Sequence, residues 1–425
     1  MIKYNYLRPL KGEYLRKREE AKFVKKESLE HKVYKDAVIL PLTRPDGCSL
    51  LFGLGGVIDD KGDYVESSGI PARVGGLYPF EISEKRDEKV VYCGYFINHW
   101  GHFLLETVSR LWYWFEDDET VDKYVFFVKE NESLQFTGNY FRFLKLLGIA
   151  DKIEIINKPI QYHEVIVPEL GYFRMHYYSN EYKRVFDTVA ANALKSIRLK
   201  DSEKRIFFSR THFKKATGSE IGNDLLDSFF SNNSFKLLYP EELSLEEMIF
   251  YIQNAEICAM PSGTAPHNLL FAQDKKRTII IERTMLINEM QVDVDRIKDL
   301  NVTYIDGNWL IYPGLSGGGP FCYAYTRQFD AYAKDNDMKK PDLYYLSDQY
   351  KKRSLRRFLK AHQNFFAYDW GMEKWTTIYA KEIYEAHEET VEDLYDYIAG
   401  IKPFIPEHYF RLSYIKKAMK QTFKK

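Results

Sequence analysis

The chain has 425 residues with 61 basic and 61 acidic side chains, 45% hydrophobic and 16% aromatic content, which excludes a single small module and a disordered polymer. A formal net charge of zero argues against a general polyanion binder, so no nucleic-acid partner is expected. Cys48, Cys93, Cys258 and Cys322 stand far apart without C-x-x-C spacing, and no run approaches the ~20 apolar residues of a membrane span, so reduced thiols and a cytoplasmic location are expected.

From residue 32 to about 199, short apolar runs (37–42, 124–128, 153–156, 165–167) alternate with helical stretches at 101–115 and 134–147. This reads as an α/β domain. Gly53, Gly55 and Gly56 do not satisfy G-x-G-x-x-G, and a turn accounts for them. From 205 to 306 the pattern becomes regular, with strands expected at 206–209, 235–238, 257–260, 278–281 and 302–305 and helices between them. Right-handed crossovers through such helices build a parallel, Rossmann-like sheet whose ligand lies beyond the carboxyl ends of the strands. That rule selects Arg210, Glu241, Ser262, Gly263, Thr264, Glu282 and Asp306.

After the glycine-rich turn at Gly314, Gly317, Gly318 and Gly319 the pattern is mostly helical, with a basic stretch at 351–360. The last 25 residues hold seven basic side chains against Glu407, with Leu412, Ile415, Met419 and Phe423 at helical spacing. A basic amphipathic helix is expected, suited to an anionic membrane surface or simply to a solvated face. The expected domains are therefore 1–199, 200–312 and a helical segment 313–425.

Two segments can carry chemistry. In 98–112, Asn98 can cap a helix on which His102, Glu106 and Arg110 recur every fourth residue and share one face. A carboxylate beside a histidine can act as, or orient, a general base; the plainer reading is a surface ion pair of Glu106 with Arg110. In 261–268, a turn of Ser262, Gly263 and Thr264 opens a helix whose N–H groups suit a diphosphate, with His267 and Asn268 on its first turn. An ordinary helix cap is the alternative. Ser209 and Arg210 close the first strand of this region, with Lys215 in the next loop, and Arg210 can clamp a diphosphate. Glu241 or Glu282 can accept bonds from ribose hydroxyls. Asp293 and Asp295 form an Asp-x-Asp inside a helical stretch, and His99 with His102 lacks a third ligand, so no metal is expected.

These residues also carry a resemblance. G-H-F-L-L-E-T-V-S-R-L-W at 101–112, R-I-F-F-S-R at 205–210, P-E-E-L-S-L-E-E at 240–247 and P-S-G-T-A-P-H-N-L-L-F-A at 261–272 together resemble glycosyltransferase family 61, including bacterial members of capsule and surface-polysaccharide synthesis. His102, Glu106 and Arg110 match that family's histidine, acidic residue and arginine. The chain departs at Ser262, where the family often has histidine. The resemblance implies a GT-B architecture, two Rossmann-like domains facing a cleft with the nucleotide-sugar donor on the second. It implies an inverting transferase that uses a UDP-linked nucleotide sugar, with a glycan or lipid-linked glycan as the expected acceptor; no cofactor is expected. Glu106 or His102 would then be the base, and Arg210, Lys215 and the N–H groups after Ser262 would hold the departing diphosphate. A non-catalytic nucleotide-sugar or glycan binder of the same fold is the alternative reading, and a nicotinamide-dependent epimerase lacks its glycine fingerprint.

Overall fold

A computed structural model describes residues 1–363 except 20–22, 26, 45–51, 72, 118–119, 135, 199–201, 214–219, 285–286 and 310–319. Cys48, Lys215, the glycine-rich turn and the basic tail lie outside the described residues. The frame is a pair of six-stranded sheets.

The chain opens with β1 (Ile2–Tyr6) and α1 (Pro9–Glu19). The first sheet follows: β2 (His31–Thr43), β3 (Leu54–Ile58), β4 (Glu84–Tyr95), β5 (Lys123–Phe127), β6 (Ile153–Ile156) and β7 (Ile160–Pro168), in the order β3-β2-β7-β4-β5-β6. β7, β4, β5 and β6 are parallel, whereas β2 is antiparallel to both β3 and β7. This part of the chain is α/β as read, but its sheet is mixed. The ten residues between β2 and β3 are too few for the helical crossover that a parallel pair needs. Gly55 explains itself here: at φ +146° a Cβ would lie 2.7 Å from the Pro41 carbonyl oxygen, so the glycine lets β3 close on β2 and holds no dinucleotide.

Between the sheets run α2 (Trp100–Leu105), α3 (Gly138–Leu147), the short hairpin β8 (Tyr172–Phe173) and β9 (Tyr177–Tyr178), and α4 (Asn180–Ser196). The second sheet contains β10 (Arg205–Phe208), β12 (Lys236–Leu238), β13 (Ile257–Pro261), β14 (Arg277–Glu282) and β15 (Asn301–Asp306). β11 (Glu220–Ile221) pairs with β16 (Phe321–Cys322) beyond the strand ends. All pairs of the second sheet are parallel, in the order β1-β15-β14-β13-β10-β12. Each of the five expected strands is present, joined through α5 (Asn223–Asn232), α6 (Leu245–Asn254) and α7 (Glu289–Ile297).

The sixth strand was not expected there. β1 comes from the opposite end of the chain and pairs with β15, placing Ile2 beside Val302. The segment after it is tied down by charge: Arg8 and Lys11 meet the fully buried Asp306 at 2.7 and 3.0 Å. Their two positive charges hold that carboxyl below its ordinary range although burial opposes ionisation.

One apolar cluster runs from Val91, Cys93 and Phe126 of the first sheet, through α2, α3 and α4, to Ile206, Met260 and Val302 of the second. Separate clusters cover the far face of each sheet. The three described cysteines are buried and unpaired. The closing segment is helical as far as it is described, with α8 (Arg327–Asp335), α9 (Leu343–Leu346) and α10 (Asp348–Gln363). No helix among the described residues is long and apolar enough to cross a membrane.

Candidate active site

The helical stretch expected over 101–115 is two elements. α2 ends at Leu105, and a 3₁₀ run takes over from Thr107 to Phe115. The Thr107 hydroxyl marks the change: it accepts from the Ile97 N–H at 3.0 Å and donates to the Tyr95 carbonyl at 3.2 Å, pinning the chain to the end of β4. In a 3₁₀ run each residue turns ~120° instead of ~100°, which swings Arg110 roughly 80° away from the face it would share in a continuous α-helix.

The expected three-residue face therefore divides. His102 and Glu106 stay together, with Nδ1 of the histidine 2.5 Å from Oε2 of the carboxylate. Arg110 is buried elsewhere, its guanidinium over the Tyr92 ring and donating to the Ser67 and Gly69 carbonyls at 2.6 and 3.2 Å. It pairs with backbone, and neither the expected pair with Glu106 nor an open position for substrate contact is observed. Arg73 takes the place at Glu106 instead, its Nε 2.9 Å from Oε1. Nothing in the local sequence flags Arg73, because a long loop brings it to α2. Asn98 is exposed and does not cap α2; His99 is the capping position and forms no side-chain cap bond.

The second block lies directly against the first. A Cβ at Gly101 would sit 2.7 Å from the His267 ring and 3.1 Å from Thr264, so only glycine lets α2 approach this turn. Trp100 Nε1 donates to Asn268 Oδ1 at 2.8 Å, and the Asn268 amide donates to the Ala265 carbonyl, so Asn268 joins the two blocks and is buried between them. His267 is buried, with Nδ1 3.0 Å from Gln291 Oε1. Gln291 in turn donates to Asp295, which sets its amide so that Nδ1 of His267 carries the proton. Burial presses the His267 pKa down to about 4, so the ring is neutral and structural at neutral pH. His99 sits with its ring centroid 5.0 Å from that of His102 and is also depressed, by burial and then by its neighbour.

The helix expected after Thr264 is a seven-residue 3₁₀ segment, Ala265–Phe271, with Pro266 in its first turn. A segment so short, with one N–H missing, is a weaker anion cradle than a full α-helix. The charge at this edge comes instead from two arginines. β10 is flanked by β12 on one side and β13 on the other, so the order of the sheet reverses there, and the crevice beyond these strand ends is where such sheets hold ligands. Ser209 and Arg210 follow β10; Ser262 and Gly263 follow β13.

Arg210 grips Glu220 through Nε and Nη2, both at 2.8 Å, and Arg283 reaches the same carboxylate at 2.6 Å. The two guanidiniums keep Glu220 ionised against its burial, leaving the trio with one net positive charge. Gly263, at φ +128°, makes room for Arg283: a Cβ there would fall 2.3 Å from its Nη2. Ser262 Oγ accepts from the Arg283 N–H at 3.2 Å, and Ser209 Oγ is taken by Thr211 at 3.0 Å. Thr264 is half-buried beside Gly101.

Glu241 is exposed at the end of β12, while Glu282 is enclosed and cannot reach a ribose from its present position. Burial pushes its carboxyl up to about 7, tempered by Lys11, Arg283 and the Ser262 hydroxyl. Asp293 accepts from the Tyr172 hydroxyl and the Met175 N–H, and Asp295 from Gln291 and Tyr304. Both carboxylates are committed within the fold. A cavity of about 710 Å³ beside α8 and α10, lined by Trp309, Tyr323 and Tyr345 among others, includes none of the residues of either cluster.

Residues 100–281, which contain both blocks, match the family model described as Glycosyltransferase 61. The chain carries a glycosyltransferase 61 domain. That domain supports a glycosyltransferase, acting between a sugar donor and a glycan acceptor. No curated protein matches the chain. Arg73, Arg283 and Gln291 lie outside the glycosyltransferase 61 match, and a motif-based reading passes over all three.

Proposed function

We propose that this glycosyltransferase 61 protein inverts the sugar it transfers, using His102 as the general base and Glu106 as the group that orients it. One observation carries this reading: both carboxylate oxygens of Glu106 are occupied, Oε1 by Arg73 and Oε2 by His102 Nδ1. A carboxylate bound in this way accepts from Nδ1–H and leaves the lone pair on Nε2 to take the proton of an attacking acceptor hydroxyl. Nε2 has no partner among the described residues.

The donor in this reading is a nucleotide sugar, UDP-linked by resemblance, held at the crevice between β10 and β13 in a GT-B-like arrangement. Its diphosphate meets Arg210 and Arg283, whose net charge favours the departing group without a metal. The commitment of Asp293 and Asp295 to Tyr172, Met175, Gln291 and Tyr304 supports metal independence. The acceptor is a surface glycan, and the tail beyond Pro406, with its basic residues, supports peripheral attachment to an anionic membrane.

Thermal stabilisation across a panel of nucleotides and nucleotide sugars, with and without chelator, tests the donor side. A ligand at 100 times its Kd adds about 2.7 kcal/mol. A shift selective for one nucleotide that survives chelation is expected; no shift with any nucleotide favours the glycan-only binder.

A further inference from the structure

We propose that Arg73, which lies outside the family-matched stretch, is a positioning residue that holds Glu106 and thereby sets the basicity of His102. The proposal rests on reading His102 as the base. Arg73, Glu106 and His102 form a relay, with Nε 2.9 Å from Oε1 on one side and Nδ1 2.5 Å from Oε2 on the other. The Arg73 and Glu106 side chains are only 10% and 5% exposed, so water screens their pairing little.

The loop that delivers Arg73 is built to hold it. The Arg73 N–H donates to the Ile70 carbonyl at 3.0 Å, and its own carbonyl accepts from Gly53 at 3.1 Å. Arg110 binds the Ser67 and Gly69 carbonyls of the same loop from beneath. The third member of the His102, Glu106, Arg110 pattern therefore reaches the site through backbone, by fixing the loop that presents a second arginine. Arg73 Nη1 is buried without a hydrogen-bond partner among the described residues, an arrangement that weakens the case for a purely stabilising role.

The other groups around the relay are known. His99 lies beside His102 on the same turn, His267 approaches from the 265–271 segment, and Tyr172 on the β8 hairpin and Tyr182 on α4 stand near Glu106. Arg174, from that hairpin, pairs with Glu289 at 3.2 Å and adds its positive charge to the surroundings of Arg73. Against this background Arg73 neutralises Glu106 and disfavours a positive charge on His102. Its removal leaves the carboxylate uncompensated, so the imidazolium gains stability and His102 titrates at higher pH.

The test needs no substrate. Histidine side chains are labelled selectively, the signal missing in His102→Ala is assigned to His102, and its titration is followed by NMR in the full-length protein and in Arg73→Gln. An upward move of about half a pH unit or more is expected, with Arg73→Lys, which keeps the charge, falling between the two. An unmoved midpoint in folded Arg73→Gln overturns the proposal; if that variant does not fold, an unmoved midpoint in Arg73→Met, which keeps an apolar stem without the charge, overturns it instead. Turnover, measured with whichever nucleotide sugar stabilises the protein, separates the two readings. His102→Ala that remains active removes the base assignment and this inference with it, whereas an inactive His102→Ala beside an unaltered Arg73→Gln removes the inference alone.

Discussion

At the scale of single residues the site depends on which lone pairs and protons are already taken. Glu106 has no free oxygen, which makes it an orienting group and predicts unequal variants. His102→Ala is expected to lower kcat by about 10²–10⁴ while nucleotide affinity stays within a few-fold, and Glu106→Gln to lower it less, because the amide can still bond Nδ1 through its oxygen. Equal turnover in both variants and wild type would remove the base assignment. Glu282 gives a prediction about pH. Its folded pKa, raised to about 7 by burial, lies above the unfolded value near 4.5, so its stabilising contribution is complete below about pH 4.5 and is lost as pH rises through 7. Glu282→Gln should therefore gain on wild type by about 3 kcal/mol between pH 4 and 8 in denaturant unfolding. Parallel stability curves would show that the carboxyl is solvated. Asp295, also raised to about 7 by burial, acts in the same sense, and the depressed His267 acts in the opposite one, which is why the comparison is made between variants and not on the wild-type curve alone.

At the scale of elements, the contact of α2 with the 265–271 segment is what turns two distant blocks into one site. It is a close approach of backbone to a buried, hydrogen-bonded ring, and Gly101→Ala places a methyl group 2.7 Å from an imidazole that Gln291 holds in place. A loss of about 1–3 kcal/mol follows from such overpacking, and turnover should fall with it; an unchanged melting temperature would mean that the turn yields. The change from α to 3₁₀ winding at Thr107 is equally consequential. It separates Arg110 from His102 and Glu106, and hands the carboxylate to an arginine from another part of the chain.

At the scale of the whole molecule, the N-terminal strand closes the edge of a sheet built almost wholly from residues 205–306. Its attachment includes a fully buried carboxylate, Asp306, between Arg8 and Lys11. Removing one partner of a buried pair strands the other charge, so Arg8→Ala should destabilise the protein by about 3–5 kcal/mol. Adding Asp306→Asn in the same chain should recover part of that loss, and a double variant no more stable than Arg8→Ala would show that strand pairing, not charge, does the holding. The shared core through α2, α3 and α4 ties the two sheets together, so the effect should appear as a shift of a common unfolding transition.

The amino-acid sequence by itself determined the regular part of this protein. Five strands of the second sheet, the α/β character of the first half and the pairing of His102 with Glu106 all follow from local periodicity, since apolar spacing and an i, i+4 step act over a few residues. The switch-point residues Arg210, Ser262 and Gly263 were legible for the same reason, because they follow directly on strands. Only the tertiary structure decided the partners. Arg73 reaches Glu106 from 33 positions away, Arg283 reaches Glu220 from 63, and β1 meets β15 across 300. Such contacts depend on loop paths and on which buried charge needs neutralising, and a single sequence records neither. Burial likewise reassigned Glu282 and Asn268, whose residue types suit a nucleotide but whose surroundings commit them to the fold.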